Sequence, residues 1–267
     1  MTRMQTSQRQ LTGSRVLLLS RTIAALAVMV ASAHTFAAES TLPAWSYKGA
    51  TGPAHWGAED SNYATCASGK AQSPVDIEKT TKQDLPALEF DYHAGPLTVT
   101  DTGHSFQVNF QPGSELKVDG AEYQLVQVHF HRPSEEYVKG RRYSMVAHLV
   151  HKNDKGDLAV VAVLLGKGKT NAFLKPIFDN FPVKGSKESV VANQTIDAEE
   201  LLPTKHGYYS FDGSLTTPPC SENVRWFVLK TPVQMSGAQI AQFARRYAHN
   251  ARPVQPLNGR VILESKD

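Results

Sequence analysis

From Leu97 onward the chain is a succession of short segments in which apolar and polar side chains follow period two. They are Leu97 to Thr100, Ser105 to Phe110, Glu115 to Val118, Tyr123 to His131, Tyr143 to His151, Leu158 to Leu165, Tyr208 to Leu215 and Val224 to Leu229. Period two sends successive side chains to opposite faces of a pleated backbone, so this spacing predicts β-strands. Asp119-Gly120, between two such runs, has the chemistry of a two-residue hairpin turn. Gly103, Gly140 and Asn153-Asp154-Lys155-Gly156 punctuate others. Consecutive strands joined by short turns pair mostly antiparallel. Two segments change to helical spacing: Asn171 to Asn180, apolar at Phe173, Leu174, Ile177 and Phe178, and Ser236 to Arg246, opened by a serine suited to an N-cap. The expected fold is mainly β: a single domain on a large, mostly antiparallel twisted central sheet with a few short peripheral helices.

The chain has 267 residues, 41% of them hydrophobic and 20% charged, which supplies a sizeable core and excludes a disordered or collagen-like chain. Its formal charge of +3 is misleading about partners. Arg3, Arg9, Arg15 and Arg21 lie in the first 37 residues, where there is no acid, and without them the balance is −1. A nucleic-acid binder holds its basic stripe in the folded part, so no nucleic-acid partner is expected. The same segment has an Arg-bearing polar front, an apolar run from Thr22 to Ala33 and the small-residue stretch Thr35-Phe36-Ala37-Ala38. This is the pattern of a secretory signal peptide over residues 1–37, cleaved after Ala37 or Ala38. Arg21 cuts the longer run from Val16 short of the roughly 20 residues a membrane span needs; a retained anchor is the alternative. The exported domain, residues 38–267, is expected to be free of the membrane.

Cys66 and Cys220 are the two cysteines, and both lie in the exported portion. An even count in an oxidising compartment favours one disulfide, closing a loop worth about 4 to 5 kcal/mol on a chain-entropy estimate. Two separate buried thiols are the alternative. So distant a pair makes no structural zinc knuckle.

The strand Gln127-Val128-His129-Phe130-His131 carries two histidines on one face. An H-x-H pair alone is also what core or surface strands carry, but the next strand returns antiparallel with His148 on the face shared with Ser144, Val146 and Val150. Three neutral imidazoles from adjacent strands, with no thiolate nearby, fit a catalytic zinc that keeps a position open for water. His151, of opposite parity to His148, is expected to face elsewhere.

Ala71-Gln72-Ser73-Pro74-Val75-Asp76-Ile77, Gly103-His104-Ser105-Phe106, the Gln127 to His131 run, Ala147-His148-Leu149-Val150-His151 and Ser214-Leu215-Thr216-Thr217-Pro218-Pro219-Cys220 stand in one order and spacing. In this the chain resembles the α-class carbonic anhydrases, and its exported form the bacterial periplasmic members. Trp45-Ser46-Tyr47, Gly52-Pro53-Ala54-His55-Trp56 and Arg252-Pro253-Val254-Gln255-Pro256-Leu257 extend the resemblance over nearly the whole mature chain. It implies a zinc lyase that hydrates CO2 reversibly to bicarbonate and a proton by a zinc-bound hydroxide, and a periplasmic location. By position it makes His129, His131 and His148 the zinc ligands. Thr216 becomes the threonine that orients the hydroxide, and Glu135 the buried carboxylate that fixes Thr216.

The resemblance further implies His104 as proton shuttle, with Gln127, Tyr47, Gln107 and Thr217 as polar lining and Thr217 also at the substrate. Val150, Val160, Leu215, Val224 and Trp226 become the apolar wall for CO2; read alone, each is a core strand residue. Bacterial relatives are often dimers, so a homodimer is compatible with the resemblance. Two departures stand out. Thr102 occupies a position where many relatives carry asparagine, and Val146 occupies the position, two before the third ligand, where relatives usually carry a glutamate that accepts the N–H of that histidine. Valine accepts no hydrogen bond, so His148 is expected to lack its carboxylate partner and zinc to leave faster, unless a neighbouring group substitutes.

Two rival readings remain at this level. His129-x-His131 followed by Glu135 has the spacing of a cupin-type two-His-plus-carboxylate site, which would hold iron or manganese; the later glycine, proline and histidine motif of that class is missing. A carbonic anhydrase-like domain that serves only as a binding module is the other, and three intact histidines argue against it.

Overall fold

A computed structural model describes residues 45–184, 186 and 188–266. The segment read as a signal peptide, residues 1–37, and the start of the mature chain lie outside the described residues. The described ones fall in a single compact unit, Leu42–Asp267.

Ten strands form the main path of a thirteen-stranded sheet: β1 (Thr81–Gln83), β2 (Gly95–Asp101), β3 (Phe106–Asn109), β4 (Ala121–His131), β5 (Met145–Lys152), β6 (Leu158–Lys167), β7 (Ser189–Ile196), β8 (Tyr208–Ser214), β9 (Glu222–Leu229) and β10 (Leu263–Ser265). Their order across the sheet is β7-β2-β3-β4-β5-β6-β9-β8-β10-β1. Strands close in sequence pair antiparallel, as the short turns require. The parallel pairs, β6 with β9, β6 with the short strand Val233–Met235, and β10 with β1, join strands far apart in sequence, which makes the sheet mixed. The hairpin at Asp119-Gly120 closes with both residues at positive φ, 55° and 71°, and Val118 opposite Ala121.

The centre of the sheet is buried on both faces. Leu97, Val99, Val108, Val128, Phe130, Ala147, Leu149, Val161 and Val163 pack on one side against Leu174, Ile177 and Phe178 of a short helix (Leu174–Asp179) and Phe243 of a longer one (Gly237–Ala244). On the other side Val146, Val150, Val160, Ala162, Leu164, Val224 and Trp226 pack with Val75 and Ile77. This explains why Leu158 to Leu165 is nearly continuous in apolar residues: a strand covered on both sides has no polar face to alternate with. Thr81–Gln83, Ser189–Ile196 and Leu263–Ser265 carry no such signal. Ser189–Ile196 is an edge strand, mostly exposed, with Asn193 at φ 57° and a break in its register against β2, so burial imposed no alternation on it.

Candidate metal centre

The pleat and the register build the site. Along β4, Val128 and Phe130 enter the helix-covered core, which leaves His129 and His131 on the opposite face. On β5, His148 sits directly opposite His129 and Val146 opposite His131, while on the other flank Gln107 of β3 faces His129. One ligand atom from each of His129, His131 and His148 lies within 4.8 Å of the others. His151, with its parity reversed, pairs instead with Tyr92, whose hydroxyl oxygen is 2.6 Å from its Nε2 on the other side of the sheet.

Each imidazole has one nitrogen engaged, and this sets which nitrogen is left for a metal. His129 Nδ1 lies 2.8 Å from Gln127 Oε1, His131 Nδ1 lies 2.7 Å from the Asn250 carbonyl oxygen, and His148 Nε2 lies 2.9 Å from Glu136 Oε1. The free atoms are thus Nε2 of His129 and His131 and Nδ1 of His148. Burial lowers the pKa of all three, to about 4 for His131, and the neighbouring imidazoles push His129 and His148 down further. Neutral nitrogens are what a metal needs. His131 Nε2 is buried with no hydrogen-bond partner among the described residues, 3.4 Å from Glu135 Oε2. An orphaned imidazole nitrogen aimed at two others is the cradle of an N3 metal site, so the donor set fits zinc.

Glu135 is fully buried. Its Oε1 accepts the Arg252 backbone N–H at 2.7 Å, and burial followed by the charge of Glu136 raises its pKa well above the usual carboxylate range, while the Thr216 side chain acts against that rise. Thr216 is itself buried, in the loop after β8 that Cys220 closes. Cys66 and Cys220 are joined in a disulfide. Arg252 ties these parts together: its guanidinium donates to the carbonyls of Ser73 (2.8 Å) and Cys66 (3.1 Å) and lies over the Trp56 ring.

A cavity of about 450 Å³ opens over His129 and His131, which line it together with Tyr47, Gln107, Gln127 and Thr217 among others. His104 and Trp45 stand in the same lining, with their rings stacked at 3.6 Å and 14°. Burial lowers the His104 pKa, against a smaller upward pull from Asp101. Thr102 lines the cavity beside it, but its hydroxyl donates to the Ser105 carbonyl at 2.7 Å and shapes the turn that carries His104. Val150, Val160, Leu215, Val224 and Trp226 lie together one layer back from this lining, in the cluster with Val75 and Ile77; Val150 is 9% exposed and Val160, Val224 and Trp226 nearly fully buried. Trp226 packs its ring edge-on against His148, 4.9 Å between centroids.

One expectation is overturned. His148 does not lack a carboxylate partner: Glu136 reaches it from the turn after β4, and Val146 simply joins the apolar cluster. Glu136 carries no mark in the sequence, where in Ser134-Glu135-Glu136 only the first glutamate matches a family position, and the same holds for the residue that serves His131. That residue is Asn250, whose carbonyl engages His131 and whose amide donates to the carbonyls of His104 (3.0 Å) and Phe130 (2.9 Å). No local signal marks Asn250, since its partners lie more than a hundred residues away.

Three buried or half-buried imidazoles, each with one nitrogen engaged and gathered on one face of a large twisted β-sheet, form a three-histidine site of the kind that could hold a metal ion. Residues 51–266 match the family model described as eukaryotic-type carbonic anhydrase, and the chain belongs to this family, the α-carbonic anhydrases, a family of zinc lyases. A carbonic anhydrase from Neisseria gonorrhoeae is 42% identical over 244 residues, covering 91% of this chain and 96% of the relative. The structure of the Photobacterium profundum α-carbonic anhydrase superposes with a TM-score of 0.78 at 44% identity, covering 83% of this chain and all of the other. That of the Thermovibrio ammonificans enzyme, solved with the inhibitor sulfanilamide, gives 0.80 at 40% identity over 82% of this chain and 98% of the other.

Proposed function

We propose that this chain hydrates CO2 reversibly to bicarbonate and a proton, with zinc held by Nε2 of His129, Nε2 of His131 and Nδ1 of His148. The observation that carries this is the convergence of three neutral imidazoles on one point, with His131 Nε2 buried and unpartnered. When bound, zinc supplies a hydroxide nucleophile near neutral pH by acidifying its water, an effect for which carbonic anhydrase is the standard example.

The remaining work falls to the protein. Glu135 accepts the Arg252 N–H on one oxygen, and the other, Oε2, has no hydrogen-bond partner among the described residues and is available to the Thr216 hydroxyl beside it. With that bond made, the Thr216 oxygen would accept an O–H from a nucleophile held at the histidines and so fix how it faces CO2. An uncharged substrate is held by shape and dryness, which Val150, Val160, Leu215, Val224 and Trp226 provide behind the His148 side of the site. His104, neutral at pH 7 and set in the cavity lining, accepts the proton released from the site and passes it to buffer. Export to the periplasm through cleavage of residues 1–37 accords with the disulfide, since such bonds persist in oxidising compartments.

The test is metal analysis of the purified mature chain together with stopped-flow CO2 hydration. One zinc per chain and hydration activity are expected, and His131→Ala should remove most of both. Full activity in metal-free protein, or bound iron that requires Glu135, would overturn the reading in favour of the cupin-type alternative or no metal chemistry at all.

A further inference from the structure

We propose that Glu136 is the positioning residue for the third metal ligand: the carboxylate that orients His148 comes from the turn after β4 and not from β5, the strand that carries this histidine. This rests on the reading of the three histidines as a zinc site.

On β5 the residue that shares a face with His148 and precedes it by two is Val146, fully buried and without an acceptor atom. Glu136 Oε1 lies 2.9 Å from His148 Nε2, with both side chains excluded from solvent. The turn that delivers Glu136 is held on both sides. Ser134 Oγ donates to the Glu136 carbonyl and accepts the Tyr143 N–H, each at 2.9 Å, and Arg142 Nε donates to the Ser134 carbonyl at 2.9 Å. Immediately afterwards Tyr137–Val138 pairs in parallel with Asp76–Ile77. Adjacent glutamates therefore diverge: Glu135 accepts the Arg252 N–H, and Glu136 engages His148.

A buried carboxylate is costly unless it is paired. Glu136 Oε2 has no hydrogen-bond partner among the described residues, so His148 is the group that the other oxygen serves. A donor Nε2–H held by a carboxylate leaves Nδ1 as the ligand atom, locks the ring plane and raises the basicity of the imidazole.

The experiment compares wild type, Glu136→Gln and the exchange variant Glu136→Gln/Val146→Glu, all zinc-loaded. It measures zinc release into excess chelator, melting of the metal-free forms, and the 15N signals of the assigned His148 ring. Zinc is expected to leave Glu136→Gln about 10- to 100-fold faster than wild type, with the metal-free melting temperature nearly unchanged. The exchange variant, which returns a carboxylate to the same strand face, should recover most of the slow release. In wild type the His148 Nε2 proton should be protected from solvent exchange and Nδ1 should carry no proton, a result that needs no variant to fold. Equal release rates, a proton on Nδ1, or fast release accompanied by a matching loss of metal-free stability and no recovery on exchange would overturn the assignment. A wild type that binds zinc and hydrates CO2 while Glu136→Gln is unchanged sinks this inference alone. A wild type that binds no zinc sinks it together with the proposed function.

Discussion

His104 shows how much of a residue's role rests on neighbours remote in sequence. Its ring lies flat on Trp45, its carbonyl is held by Asn250, and its turn is closed by Thr102 and Ser105. His104→Ala should lower the maximal hydration rate in weak buffer and leave kcat/KM nearly intact, because proton export follows the CO2 step; added imidazole should restore part of the rate. Equal losses in both parameters would make His104 structural. Because burial pulls its pKa below the ordinary imidazole value of about 6.5, the neutral acceptor form persists at neutral pH. Buffer-limited turnover should fall on acidification only below that value, which a pH profile of kcat at low buffer reads. At this scale strand parity marked the three histidines, whereas Thr216 and Glu135 were named only through the family resemblance. Glu136 was legible in neither way, since its partner lies on another strand.

At the scale of elements, local chemistry places some pieces by itself. The helix Gly237–Ala244 begins where Ser236 predicts: the Ser236 hydroxyl oxygen accepts the Gln239 N–H at 3.2 Å, and Gln239 Oε1 accepts the Ser236 N–H at 3.0 Å. This reciprocal cap satisfies backbone donors that the first turn leaves free. Ser236→Ala should destabilise the protein by about 1 kcal/mol, measured by denaturant unfolding, with no effect on bound zinc because the helix packs on the sheet face away from the histidines. The central strands were legible through hydrophobicity, whereas Ser189–Ile196 and the three-residue strands were not. They exist because an existing edge offers unpaired backbone groups, a property of the assembled sheet and not of their own residues.

Across the whole molecule, Cys66–Cys220 and Arg252 bind the N-terminal region, the Thr216 loop and the C-terminal segment into one support. The disulfide spans 154 residues; beside it Gln72 Nε2 donates to the Cys220 carbonyl at 3.0 Å and Arg252 to that of Cys66. Thiol titration of the protein under denaturing, non-reducing conditions should find no free thiol. Cys66→Ser/Cys220→Ser should cost about 2 to 5 kcal/mol in unfolding free energy and reduce CO2 hydration more than zinc content, because the bridge anchors the Thr216 loop and not the strands bearing the histidines. A double variant with full stability would show that Arg252 and its carbonyl partners suffice. What the sequence by itself determined was everything written in short-range pattern: the strand-rich fold, the capped helix, the hairpin at Asp119-Gly120 and the common face of His129 and His131. Only the tertiary structure decided which groups complete the second ring nitrogens of two ligands, Asn250 for His131 and Glu136 for His148, whereas Gln127 stands two residues from His129 on the same strand face. A hydrogen bond needs a donor and an acceptor within about 3 Å; Asn250 comes within that reach of His131 only when segments 119 residues apart have packed together, and Glu136 reaches His148 only once the turn after β4 has folded back over β5.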